Sequence, residues 1–196
     1  QINNMLGHSA GDHVLRAVAE RLRIEADGKA VVARLGGDEF AVALDCAEAG
    51  EPIAAFAERI ARAFETPLAT GTRQHRVRIS IGVAVYPEGG HKADELLSNG
   101  HLALSRAKAT RRGGHVLFEA AIRQELENRL TLESELALAA DRGEFELFYQ
   151  PQVRLIDGSL VGAEALIRWR HPVRGYVSPG EFMPVVNTSA LSERIA

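Results

Sequence analysis

Residues 31–44 read VVARLGGDEFAVAL. Two short β-prone runs, 31–35 and 40–44, flank the turn Gly36-Gly37-Asp38-Glu39. Apolar runs on both sides of a glycine-rich turn predict a β-hairpin. The tip can carry chemistry. Two glycines leave backbone N–H groups open to close approach by phosphate. Two adjacent carboxylates offer hard oxygen ligands, the kind Mg²⁺ takes together with substrate phosphate. Phe40 would anchor the returning strand in a core. The same residues also read as a tight, acidic, solvated hairpin.

Upstream, 11–25 places Val14, Leu15, Val18, Ala19 and Leu22 on one face, a helical period. Downstream, Pro52 opens a helix in which Ile53, Phe56, Ala57, Ile60, Ala61 and Phe64 recur at the same spacing, and Thr66-Pro67 ends it. Val77, Ile79, Ile81, Val83 and Val85 alternate strictly and predict one long strand, closed by Pro87 and Gly89-Gly90. A helix over 93–108, with Leu96, Leu97, Ala103, Leu104 and Ala107 inward, and a strand over 115–119 complete the order α-β-β-α-β-α-β. One leading strand more would give a ferredoxin-like or palm-like α+β core, with helices on one face of an antiparallel sheet.

An amphipathic helix follows over 120–141, striped by Ile122, Leu126, Leu130 and Ala137 and terminated at Arg142-Gly143. Beyond it, 145–149 and 160–169 read as strands around an Asp157-Gly158 turn. Ser178-Pro179-Gly180-Glu181 has the pattern of a capping box with proline at the first helical position. The expected domains are 1–118, a linker helix 119–143, and 144–196.

Composition narrows the function classes. The 196 residues are 46% hydrophobic and 25% charged, ordinary for a globular protein. A net charge of −3 gives no basic excess that would argue for a nucleic-acid polymer. Cys46 is the only cysteine, which rules out an internal disulfide or CxxC metal site and fits a reducing compartment. No apolar stretch is long enough for a transmembrane helix. The chain begins at Gln1, inside what reads as a structural element, so it is expected to be a cytoplasmic fragment whose membrane or sensor region would lie elsewhere. His13, His75, His91 and His115 lack metal-ligand spacing, and His8 and His171 read as structural.

Motifs in order along 1–118 carry a resemblance. Asn3, Gly7-His8 and Gly11-Asp12 lead into the first helix, Arg34-Leu35 and Ala41-Val42 bracket Gly36–Phe40, Ser80-Ile81-Gly82-Val83-Ala84 follows, and Ala107-Lys108 ends the third helix. This stretch resembles the GGDEF (diguanylate cyclase) domain. The resemblance implies that Asn3 and Asp12 bind the guanine of GTP, and that Gly36 and Gly37 cradle the triphosphate. It implies that Glu39 holds Mg²⁺ (or Mn²⁺), and that Asp38 assists with metal or with activating the 3′-hydroxyl. Lys108 and Arg112 would contact terminal phosphates. Two such domains would face each other as a homodimer. Departures are Asn4 for Asp, His101 and Ser105 for Asp and Tyr in the third helix, Arg111-Arg112-Gly113 for Gly-Arg-Asn, and Asp27-Gly28-Lys29-Ala30 where a product-inhibition motif would stand. Feedback inhibition through that site is not expected.

Tyr149-Gln150-Pro151, Glu164-Ala165-Leu166, Arg168-Trp169, His171-Pro172, Gly175, Ser178-Pro179 and Phe182 together resemble the start of an EAL (cyclic-di-GMP phosphodiesterase) domain, a modified α/β barrel. The tripeptide alone carries no signal; its surroundings do. The resemblance implies that Glu164 is a metal ligand and that Gln150, Leu166 and Arg168 bind the dinucleotide, Arg168 through phosphate. Such a barrel takes about 250 residues, so only its first elements are expected here. Val186-Asn187 replaces the usual Ala-Glu.

The leading expectation is turnover of cyclic-di-GMP, made from two GTP by one half and opened by the other. The alternatives are a silent GTP- or cyclic-di-GMP-binding module that tunes the EAL half, and a scaffold without nucleotide affinity. The 196 residues alone are expected to be inactive.

Overall fold

A computed structural model describes residues 8–71, 73–110 and 114–195. Two compact units divide the chain, the first reaching Arg123 and the second starting at Gln124. The first runs α1 (His8–Ala26), β1 (Ala30–Gly36), β2 (Glu39–Leu44), the single turn α2 (Cys46–Ala49), α3 (Ile53–Ala63), β3 (Leu68–Thr70), β4 (Arg73–His75), β5 (Ile81–Val83), α4 (Ala93–Thr110) and β6 (His115–Leu117). Helix α5 (Ala120–Arg142) begins in this unit and continues in the next, followed by β7 (Phe145–Val153), β8 (Leu160–His171), β9 (Gly175–Val177), α6 (Pro179–Val186) and α7 (Ser192–Ile195). The class is mixed helix and sheet, and the described strands form small sheets with no closed barrel. None of the described helices is long and apolar enough to cross a membrane.

The first core is made by two helical stripes. Val14, Val18, Leu22 and Ala26 recur every fourth residue of α1, and Phe56, Ile60 and Phe64 do so along α3 and its end; all are buried. Each of these side chains except Ala26 contributes about 1.5–3 kcal/mol by leaving water. Val32, Phe40 and Val42 of the hairpin pack against this cluster. Arg21 ties the two helices, donating from Nη1 to the carbonyls of Ala63 (3.0 Å) and Thr66 (2.6 Å). Leu15 and Ala19, expected in the core, are instead half-buried and line a surface cleft beside Asp12.

The expected strand 77–85 is a ladder only over Ile81–Val83. Val77, Ile79 and Ile81 do pack on the core, as their alternation implies. A ladder also needs a neighbour, and no described strand pairs with 76–80. β5 pairs with β6 in parallel, Ile81↔His115 to Val83↔Leu117, so the sheet is not antiparallel throughout. The β3–β4 hairpin escaped the sequence because three-residue strands show no alternation. On α4, Ala103 and Ala107 are buried as expected, but Leu97 is exposed and Asn99 is buried. Asn99 donates from Nδ2 to Gly89 O (2.8 Å) and accepts from Arg123 Nη2, so its polar ends are satisfied.

In the second unit the buried face of α5 is Leu136 and Ala139, flanked by Leu132. Leu126 and Leu130 of the expected stripe are exposed. The helix carries two apolar stripes, and the one completed by the aromatic cluster is buried. Trp169 is fully buried, with its ring 6.1 Å from that of Phe145 and 5.9 Å from that of Phe182. Its Nε1 donates to Glu144 Oε2 at 3.1 Å. Ser178 is the N-cap of α6, as expected, and Pro179 follows, but the Ser178 side chain accepts no cap hydrogen bond, so the capping box is not closed. His171 is structural: its Nδ1 accepts from the backbone N–H groups of Val173 (3.1 Å) and Arg174 (3.0 Å).

Candidate functional site

β1 and β2 pair from Ala30↔Leu44 to Gly36↔Glu39, which leaves Gly37 and Asp38 to turn the chain. Gly37 has φ +52°, a left-handed conformation in which glycine is least strained. Arg34 pins the tip from its own strand, donating from Nε (3.1 Å) and Nη2 (2.7 Å) to Gly37 O. Gly36, Gly37 and Asp38 are exposed.

Glu39 faces α4. Its Oε2 lies 3.7 Å from His101 Nε2 and its Oε1 lies 3.7 Å from Lys108 Nζ. His101 and Lys108 stand seven residues apart, close to two helical turns, so one face of α4 presents both. These distances are too long for hydrogen bonds, and exposed ion pairs contribute little to stability. The arrangement therefore matters for where it places charge. A Cβ at Gly82 of β5 would lie 2.1 Å from Gly100 O and 2.3 Å from Leu104 N, so β5 sits flush on α4 next to His101.

Between α1 and the hairpin lies an open cleft of about 290 Å³, lined by Asp12, Arg16, Arg23, Val32, Arg34 and Phe40. Glu39, Lys108 and Asp12 are thus distributed around one hairpin. Asn3 and Arg112 lie outside the described residues, as do Asn4 and Arg111–Gly113.

In the second unit the register settles which side chains share a face. Gln150 stands opposite Glu164, Phe148 opposite Leu166, and Glu146 opposite Arg168. Side chains alternate along a strand, so Gln150, Glu164, Leu166 and Arg168 all lie on one face. Arg168 Cζ sits 5.6 Å from the Phe148 ring centroid, and its Nη1 donates to Ile167 O (3.0 Å). Four residues not singled out from the sequence complete this face. Glu146 pairs with Arg170 Nε (2.9 Å) and accepts from Tyr176 Oη (3.0 Å), and Tyr176 packs edge-on to Phe148. Alternation back from Gln150 would have marked Glu146 and Phe148; β9, three residues long, gave no signal for Tyr176.

Among the described residues no group of three His, Cys, Asp or Glu side chains could hold a metal ion. Asp38 and Glu39 nevertheless fit a divalent ion, because Mg²⁺ commonly takes one or two carboxylates and fills its other positions with water and phosphate. Glu164 offers one carboxylate of the same kind on the open face of β8.

The model of the diguanylate cyclase GGDEF domain matches residues 1–114, and the EAL domain model matches 133–196. The bifunctional diguanylate cyclase/cyclic di-GMP phosphodiesterase MucR of Pseudomonas aeruginosa is 35% identical over 99% of this chain and 28% of its own length. The cyclic di-GMP phosphodiesterase NbdA of the same organism is 35% identical over 100% of this chain and 25% of its own. The chain thus spans about a quarter of these relatives. Among solved structures, the GGDEF domain of P. aeruginosa TpbB (YfiN) superposes with TM-score 0.58 at 35% identity, covering 64% of this chain and 74% of that one. An EAL/GGDEF domain protein from M. capsulatus gives TM-score 0.54 at 34% identity, over 60% and 76%.

Proposed function

The chain belongs to the diguanylate cyclase GGDEF family and runs on into an EAL segment, and from that premise we propose that it is part of a protein that makes and hydrolyses cyclic-di-GMP. The observation that carries the cyclase half is the Glu39 carboxylate on the hairpin tip, set against Lys108 of α4 and joined through the same hairpin to the cleft at Asp12. Asp12 binds guanine from that cleft, and Asn3 is the second residue assigned to the base. Gly36 and Gly37 admit the triphosphate to the backbone N–H groups of the tip. Glu39 and Asp38 hold Mg²⁺ or Mn²⁺, which when bound neutralises phosphate charge. Lys108 transfers its charge from Glu39 to the terminal phosphates, and Arg112 is the second cation assigned to them. The 3′-hydroxyl of one GTP attacks the α-phosphate of a second, the P–O bond to pyrophosphate breaks, and Asp38 assists removal of the hydroxyl proton. Two GGDEF halves facing each other supply the two nucleotides.

In the EAL half, Glu164 is a metal ligand, Gln150 and Leu166 seat the dinucleotide, and Arg168 pairs with phosphate oxygens. The working division is 1–118 for synthesis, 119–143 as connecting helix and 144–196 as the opening of the hydrolytic domain. A second reading, GTP bound without turnover so as to tune the EAL half, draws on His101 beside Glu39, where the family has aspartate.

The test is separate incubation of full-length protein with GTP and with cyclic-di-GMP, each with Mg²⁺, and chromatography of the products. Cyclic product lost in Glu39→Ala, and linear dinucleotide lost in Glu164→Ala, are the expected results. Hydrolysis without synthesis supports the regulatory reading, and the absence of both activities contradicts the proposal.

A further inference from the structure

His101 stands next to the metal-binding carboxylate, on an element the hairpin motif does not include. Glu39 divides its two oxygens: Oε1 turns to Lys108 Nζ and Oε2 to His101 Nε2, each at 3.7 Å. Two donors that share one metal ion, each about 2.1 Å from it, can stand at most about 4.2 Å apart. The nitrogen and Oε2 meet that condition as they stand. Lys108 Nζ approaches the other oxygen.

Each of the two elements has its own anchor. Gly82 seats β5 against Gly100 O, one residue before His101, at a separation no side chain would allow. Gly37 O accepts from Arg34 within the hairpin. α4, which carries the imidazole, is thus seated on β5, and the turn next to the carboxylate is tied by a side chain of its own hairpin. Both side chains are reachable from solvent, His101 at 54% and Glu39 at 40% exposure, which leaves room for nucleotide oxygens and water to complete the coordination.

We propose that His101 Nε2 and Glu39 Oε2 bind one divalent ion together, and that this nitrogen–oxygen pair makes the cyclase half select Mn²⁺ or a later transition ion over Mg²⁺. Imidazole suits the later transition ions best and is accepted more readily by Mn²⁺ than by Mg²⁺, whereas an all-oxygen set suits Mg²⁺ and Mn²⁺ alike. Replacing the imidazole with a carboxylate should therefore shift the preference back towards Mg²⁺. The inference rests on the cyclase reading of this site and adds the identity of its metal.

The experiment is pulsed electron paramagnetic resonance of Mn²⁺ bound to full-length protein with a non-hydrolysable GTP analogue. Glu164→Ala is introduced throughout to remove the other candidate ligand. The expected spectrum shows coupling to a coordinated ¹⁴N nucleus that disappears in His101→Asp. Competition calorimetry should show the Mn²⁺-over-Mg²⁺ preference falling at least about tenfold in that variant, the scale of losing one element of a metal's immediate surroundings. Absence of nitrogen coupling, with binding still lost in Glu39→Ala, overturns the shared site and leaves the cyclase reading standing. Binding that does not depend on Glu39 overturns both.

Discussion

Gly82 and Gly100 face each other across the contact between β5 and α4, and they should respond to alanine in opposite ways. A Cβ on Gly82 would meet backbone atoms at 2.1–2.8 Å, which cannot yield as a flexible side chain would; a Cβ on Gly100 meets nothing within 4 Å. Gly82→Ala is expected to cost at least about 1–3 kcal/mol through forced separation of strand and helix. Gly100→Ala should gain up to about 1 kcal/mol, because alanine is the better helix former. Thermal denaturation of the two variants measures this, and a neutral Gly82→Ala would show that the contact is not tight. At this scale the sequence was informative about residue types and silent about neighbours. Glycines and adjacent carboxylates predict the hairpin turn and its acidic tip because their chemistry is local. His101 could be read only as a departure from the family pattern, since its approach to Glu39 joins residues 62 positions apart.

The hairpin β1–β2 was legible to within one residue at each end because strand, turn and strand are contiguous. The interval 76–85 was half legible. Alternation correctly identifies Val77, Ile79 and Ile81 as core residues, but period alone says nothing about which neighbour completes the ladder. Helix α5 shows the same limit, since its spacing permits two apolar stripes and the fold buries the one beside Trp169. The β7–β8–β9 sheet adds a polar feature that can be titrated. The Tyr176 hydroxyl donates to Glu146, and this bond, then burial and the carboxylate's charge, raise its pKa above the ordinary phenol value. Because the folded value is raised, the bond contributes fully below the ordinary phenol pKa of about 10. That contribution is lost as pH rises through the folded value. A ¹³C tyrosine titration should therefore place Tyr176 above the ordinary range in the wild type and nearer to it in Glu146→Gln. An unchanged midpoint in that variant would contradict the assignment.

Over the whole molecule, the order of motifs made both families legible before any coordinates, since each motif is a short contiguous string and their succession is specific. What the order could not convey is the convergence within each unit: Asp12, Glu39 and Lys108 around one hairpin, and Gln150, Glu164, Leu166 and Arg168 on one sheet face. Those groupings depend on strand register and on which helix face meets the hairpin. The central claim is that the first grouping binds GTP through a divalent ion. Calorimetric titration of full-length protein with a non-hydrolysable GTP analogue, with and without Mn²⁺, tests it most directly. The account predicts saturable, metal-dependent binding that weakens at least about tenfold in Glu39→Ala. Equal affinity for the wild type and Glu39→Ala, or affinity indifferent to the metal, would contradict it.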